Sequence, residues 1–341
     1  MNIIQLYERF DKFAHGISKK RWVKGYSVGQ LKEAKRVYKD WKPLTGAQKR
    51  EIAAFWGMKR PAETDFITHE IMMNVKGEFD VRYCPEVVFR LNFDDNIKYR
   101  VLTDKNYYER FQPGLPLPYT YVRNIHGCFL DHEYHIISKE EAREIIVQNL
   151  PLIAKPSLDS GEGKNIRLIT NEAEADAVFF QYDKDFLLQE LIEQCDELKR
   201  MSPYSVASFR IITAMIDGEP KLLKSQLLCN TTDSIAVNAN TGPGEGVVIV
   251  KIDNDGKLAD IGFYENAKRL QTLPSRFTFG GLQIPSYKEA LELALKDHQG
   301  MPMLDFIGWD VTVDSTGKPV FIEWNLRGIE IYHSQLSQGP L

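Results

Sequence analysis

The chain has 341 residues, 43% of them hydrophobic and 26% charged, which excludes a disordered or fibrous class and suggests two or three packed units. A formal net charge of −4 gives no overall bias toward nucleic acid, and no apolar run is long enough for a transmembrane helix. Cys84, Cys128, Cys195 and Cys229 form neither a CxxC pair nor a zinc spacing. They read as scattered core thiols of a reducing compartment, and with no signal peptide visible at Met1 the cytoplasm is the expected location.

Residues 1–98 read as mostly helical. The pattern Ile3, Ile4, Leu6, Tyr7, Phe10, Phe13 fits an amphipathic helix, docked on the protein's own core or resting on a membrane. Ser27 with Gln30, and Thr45 with Gln48, have capping-box spacing and predict helices over Gln30–Trp41 and Ala47–Trp56. Lys42-Pro43 and Arg60-Pro61 close these runs. Lys19, Lys20, Arg21, Lys24, Lys32, Lys35, Arg36 and Lys39 form either a solvated helix face or a patch for an acidic partner.

From Val101 strands and helices alternate. Asp104 is an N-cap for a helix through Phe111. Tyr119–Val122 and Leu152–Pro156 read as strands, and Ser138 with Glu141 opens another capped helix. Glu172–Ala177 is a short helix, and Phe186–Ile192 is apolar enough for a strand buried on both faces. Phe209–Ile216, Asp217-Gly218 and Lys221–Cys229 predict a hairpin, and Gly246–Ile252 a further strand. Ser286 with Glu289 predicts a capped helix running to His298.

The stretch from Asp305 to Asn325 reads as a second hairpin around the turn 314–319. Glu323 and Asn325 sit two apart on one strand, so their side chains share a face, and antiparallel pairing can bring Asp310 beside them. Three oxygen-bearing side chains at one spot suit a hard cation serving a phosphate substrate. A hairpin with its charges on a solvated face fits the same residues.

Two further segments have a chemical reading. Lys155 ends a strand and is followed by Ser160-Gly161-Glu-Gly163-Lys164, where glycines let backbone N–H groups face an anion. The spacing is neither a Walker loop nor a dinucleotide fingerprint. Gln189-Glu190-Leu-Ile192 is an extended segment between two units, whose backbone can read an adenine edge or can simply be buried.

The order of these pieces resembles the ATP-grasp superfamily: lysine and glycine loop, Gln-Glu segment, Arg210 strand, then Asp310 with Glu323-x-Asn325. Thr103-Asp-Lys-Asn-Tyr-Tyr, Ala154-Lys-Pro-Ser-Leu-Asp-Ser-Gly-Glu-Gly, Phe279-Gly-Gly-Leu-Gln-Ile-Pro-Ser-Tyr, Ile307-Gly-Trp-Asp-Val and Phe321-Ile-Glu-Trp-Asn narrow it. They are similar to the sugar-transfer-associated ATP-grasp family of polysaccharide gene clusters. The likeness covers residues 101–341 and finds no counterpart for residues 1–60.

The resemblance implies an α+β, ATP-grasp fold: a mostly helical region over residues 1–98, a lid subdomain over 99–190 and a metal-binding subdomain over 191–341. It implies that Arg123, Lys155 and the lid residues Ser160, Gly161, Gly163 and Lys164 meet the ATP phosphates. Gln189, Glu190 and Ile192 would hold adenine, Glu193 or Glu197 the ribose, and Asp310, Glu323 and Asn325 Mg²⁺, in two ions. Arg210 and Lys155 would be the catalytic cations. His333 could serve as a base for an incoming amine, or lie at the surface or against substrate. Cys195, Ala207, Val237-Asn238 and Leu228 depart from the family pattern and put the acceptor in doubt more than the nucleotide. The implied activity is ligation of a sugar acid with an amine, with phosphotransfer or non-catalytic nucleotide binding beside glycosyltransferases as alternatives.

Overall fold

The computed structural model describes residues 21, 23–92, 97–158, 165–231, 246–326, 329 and 331–341. The expected helix over Ile3–Phe13 lies outside them.

Helix α1 (23–37) starts a turn earlier than its predicted cap, and Ser27 is buried inside it. Val23, Leu31, Ala34 and Tyr38 continue one apolar stripe through Ser27, and that stripe decides the helix start. The basic residues in and beside it, Arg21, Lys24, Lys32, Lys35, Arg36 and Lys39, are all exposed, and Lys19 and Lys20 lie outside the described residues. Helix α2 (Gly46–Phe55) has the expected reciprocal cap between Thr45 and Gln48. Helices α3 (Ile67–Lys76) and α4 (Glu86–Asn92) complete this region.

A six-stranded antiparallel sheet follows. Its strands are β1 (Thr120–Ile125), β2 (Cys128–Leu130), β3 (Ile136–Ile137), β4 (Leu152–Pro156), β5 (Arg167–Ile169) and β6 (Phe186–Glu190), in the order β3-β2-β1-β6-β4-β5. Before it comes α5 (Tyr108–Phe111), entered through a tight 3₁₀ turn whose N-cap is Asp104. Helices α6 (Lys139–Gln148, with the expected Ser138–Glu141 cap) and α7 (Glu172–Gln181) cover one face of the sheet. There Val122, Leu152, Ala154, Phe186 and Leu188 meet Ala142, Ile146, Ala175 and Val178.

A short helix α8 (Asp196–Met201) leads to the second sheet. This contains β7 (Ser208–Ile216), β8 (Glu219–Asn230), β9 (Val247–Ile252), β10 (Leu258–Tyr264), β11 (Arg269–Leu270), β12 (Phe306–Val313) and β13 (Pro319–Asn325). The order is β11-β10-β9-β8-β7-β12-β13, all antiparallel. The β7–β8 turn needs left-handed backbone at both central residues, and Asp217 (φ 55°) and Gly218 (φ 80°) supply it.

One face of the second sheet buries Phe209, Ile211, Leu227, Val250, Trp309 and Val311 against helix α9 (Tyr287–Gln299) and the 99–117 segment. Ser286 is not the predicted side-chain cap of α9. It adopts left-handed backbone (φ 49°) and its hydroxyl donates to the Gly317 carbonyl at 2.5 Å. Helix α10 (Ile331–Gln338) packs on β8, β9 and β10, and joins α1 and α3 through Tyr332 and Leu336. Among the described residues no helix is long and apolar enough to cross a membrane. Of the four free thiols three are buried, but Cys128 is exposed on β2 and is not a core residue.

Candidate functional site

In an antiparallel sheet, residues paired across strands point to the same side. On the first sheet Arg123, Leu187 and Lys155 form such a row, since Leu187 pairs with both of the others. The opposite face is committed to α6 and α7, so Lys155 and Gln189 share the uncovered side with this row. Lys155 is only 6% exposed. Burial pushes its ammonium down to about 8, nearby Lys105 pushes the same way, and Glu323 opposes both.

Lys105 is held by the end of β4. Its backbone N–H donates to the Ser157 carbonyl at 3.0 Å, and the Asp104 carboxylate accepts from the Asn106 N–H. The other side of this segment is fixed to β13. Tyr108 stacks on Trp324 with centroids 3.6 Å apart, and the Trp324 indole donates to the Leu102 carbonyl at 2.7 Å. Lys105 thereby reaches Glu323, Nζ to Oε2 3.1 Å.

The second sheet has a matching row running Glu323, Asp310, Arg210, Gln226, Lys251 across β13, β12, β7, β8 and β9. Arg210 grips Asp310 with two parallel bonds of 2.7 Å, and the Asn325 amide donates to the same carboxylate at 3.1 Å. Burial would raise the Glu323 carboxyl, but Lys105 and Lys155, with Arg210 behind them, hold it below the ordinary carboxylate range. At Gly308, two residues before Asp310, a Cβ would stand 3.3 Å from the Ile329 side chain, a tight contact.

The donor set suits a hard cation. Asp310 and Glu323 bring carboxylate oxygens, and Asn325 spends its amide nitrogen on Asp310, so its carbonyl oxygen is the atom left for a metal. Among the described residues no group of three or more His, Cys, Asp and Glu could hold a metal by itself. A cation on this set would complete its shell with substrate oxygens and water, as magnesium commonly does.

The other expected residues fall in different surroundings. Arg123 departs from its expected part. Its guanidinium donates to the carbonyls of Asn106, Asp131 and His132, pairs with Glu109 and lies over Tyr134, which leaves it fixing loops to β1. Gln189 bonds Thr120 Oγ1 and the Pro118 carbonyl. Glu190 is exposed and accepts from the Tyr119 N–H at 2.8 Å. Ile192 is half-buried, and Glu193 and Glu197 are both exposed. Ser160, Gly161, Gly163 and Lys164, and Val237-Asn238, lie outside the described residues. His333 is buried, with Nε2 3.8 Å from Glu265, and so is no surface group. Sequence reasoning assigned no part to Lys105. The only signal for it was its place in the quoted Thr103–Tyr108 stretch.

Residues 180–340 match the profile of the family described as sugar-transfer associated ATP-grasp. No curated protein matches the chain. Among solved structures the chain is similar to an L-amino acid ligase from Bacillus licheniformis, at 13% identity and TM-score 0.39, covering 69% of this chain and 43% of that one. It is also similar to the VanG D-Ala:D-Ser ligase from Enterococcus faecalis, at 15% identity and TM-score 0.43, covering 70% and 55%. A third is the biotin carboxylase domain of Hydrogenobacter thermophilus 2-oxoglutarate carboxylase, in complex with MgADP, at 15% identity and TM-score 0.42, covering 85% and 56%. This chain thus spans about half the length of the solved proteins it aligns with. The likeness to the sugar-transfer associated ATP-grasp family is thus carried by residues 180–340, just under half of the chain.

Proposed function

We propose that the chain is an ATP-dependent, ADP-forming carboxylate–amine ligase. It works through an acyl phosphate and joins a sugar acid to an amino acid in the building of a surface polysaccharide. The observation that carries this reading is the meeting of cations and carboxylates: Lys155 of the first sheet and Lys105 of the turn fixed to it on one side, Glu323, Asp310 and Arg210 of the second sheet on the other.

ATP lies between the sheets in this reading. Gln189, Glu190 and Ile192 line its adenine end, Glu193 or Glu197 takes the ribose, and Ser160, Gly161, Gly163 and Lys164 are assigned to the phosphates. Lys155, poised near neutrality, holds its proton when a phosphate is beside it. Phosphoryl transfer asks mainly for positioning and charge neutralisation, which Lys155, Lys105 and Arg210 provide. Asp310, Glu323 and Asn325 would hold Mg²⁺, two ions being expected, which neutralises phosphate charge when bound. The acceptor carboxylate attacks the γ-phosphorus and ADP leaves. The amine then attacks the acyl carbon and phosphate departs.

Isotope transfer tests the reaction class. ¹⁸O placed in the acid's carboxylate must appear in released phosphate, and hydroxylamine must trap the acyl group when amine is withheld. A stable phosphorylated product with no label in free phosphate would instead make the chain a phosphotransferase.

A further inference from the structure

The row that carries Asp310 and Arg210 does not stop at the metal ligands. Gln226 pairs directly with Arg210 across β7 and β8, so it stands on the same face. Its side chain is fully buried, and among the described residues neither its amide nitrogen nor its amide oxygen has a hydrogen-bond partner. A buried amide without partners is costly, and a leucine of similar volume would avoid the cost. Beyond Gln226 the row ends in Lys251, and Lys224 lies two residues back on the same side of β8. These lysines are close enough to feel each other. Burial lowers the Lys224 ammonium and Lys251 adds to it. Past Arg210 the row is therefore polar and cationic, a fully buried and incompletely bonded amide beside half-buried lysines, on the side away from Glu323.

We propose that Gln226 is a specificity-determining residue that hydrogen-bonds an acid bound beside Arg210, with Lys251 and Lys224 drawing the acid's carboxylate charge. The inference rests on the ligase reading above and extends it to the acceptor. An amide offers one donor group and one acceptor, so it suits a molecule presenting hydroxyl or amide groups next to its carboxylate. A sugar acid or an amino acid has that character. Filling the site returns to Gln226 the bonds that the folded chain withholds.

The test uses the full chain as wild type and as Gln226→Leu. Each is titrated calorimetrically with Mg–AMP-PNP, and the loaded protein then with D-glucuronate, L-glutamate and inorganic phosphate. The expected result has three parts. Nucleotide affinity stays within about twofold, at least one carboxylate binds wild type and weakens about tenfold or more in the variant, and the free variant melts no lower than wild type. Equal binding of every acid by the two proteins would overturn the assignment, as would no carboxylate binding to loaded wild type. A melting temperature lowered by roughly 4 °C or more would also overturn it, because the amide would then be bonded within the fold. A loss confined to inorganic phosphate would replace the carboxylate with a phosphate group and reject the proposed ligand. If Gln226→Leu does not fold, Gln226→Met is read by the same criteria. Failure of wild type to bind Mg–AMP-PNP would remove the ligase reading and this inference together. Intact nucleotide binding with unaltered acid binding removes the inference alone.

Discussion

The ammonium of Lys105 sits 3.1 Å from the Glu323 carboxylate, joining a turn fixed to the first sheet with the last strand of the second. Lys105 also lowers the Lys155 ammonium. Removing its charge in Lys105→Met should therefore move Lys155 upward from about 8 while weakening Mg–AMP-PNP binding about tenfold. The pH dependence of binding reads both effects. An unshifted alkaline limb would mean that Lys105 serves Glu323 alone.

Lys155→Ala should weaken Mg–AMP-PNP by about 10- to 100-fold and nearly abolish turnover, since a buried phosphate partner is lost. Equilibrium titration decides this without knowledge of the acceptor. Ordinary affinity in the variant would take Lys155 out of the nucleotide site.

The low Lys155 value has a definite pH signature. Its folded value of about 8 lies below the ordinary 10.5, so between these pH values the unfolded chain holds a proton that the folded chain has released. This group's contribution to stability therefore rises with pH across that window. Phosphate needs the cation, so nucleotide affinity should fall above pH about 8, and binding at pH about 9 should take up a proton. Calorimetry in two buffers of different ionisation enthalpy measures the uptake. Binding at that pH without proton uptake would contradict the role given to Lys155.

Two acids of one hairpin should behave differently. Asp314 closes the turn by accepting from the Thr316 and Lys318 N–H groups, whereas Glu323 meets Lys105 and pairs with Asp310. Glu323→Gln should cost roughly 100-fold or more in ATP turnover, and Asp314→Asn only about 1 kcal/mol of stability. ADP release and thermal melting separate the two. Equal losses of turnover would take Glu323 out of the reacting site.

The 305–325 hairpin was legible because two alternating strands flank a turn rich in polar residues and glycine, and period-two logic then aligns Asp310, Glu323 and Asn325. Capping boxes at Thr45 and Ser138 were legible for a similar reason: both partners lie within one turn. Lys105 was not legible as a site residue. Its 3₁₀ turn has no periodic pattern, and the contact that gives it meaning comes from far along the chain. Arg123 misled in the opposite way. A buried arginine on a strand looks the same in sequence whether its partners are phosphates or loop carbonyls. Ser27 had the right spacing for a cap, but the apolar stripe around it extended the helix past that signal.

Trp324 has one more consequence. It lies between Glu323 and Asn325 in the chain, stacks on Tyr108 next to the Lys105 turn, and stands edge-on to Trp309 at 6.1 Å. Its indole is thus wired into both halves of the site without touching the proposed ligand atoms. Any rearrangement of the last strand or of the 102–108 segment must change the ring's stacking or its bond to Leu102. The protein carries its own fluorophore where an experimenter would choose to attach one. Replacing Trp22, Trp41 and Trp56 would leave Trp309 and Trp324 as the remaining indoles and sharpen that signal into an optical gauge of how the two sheets meet.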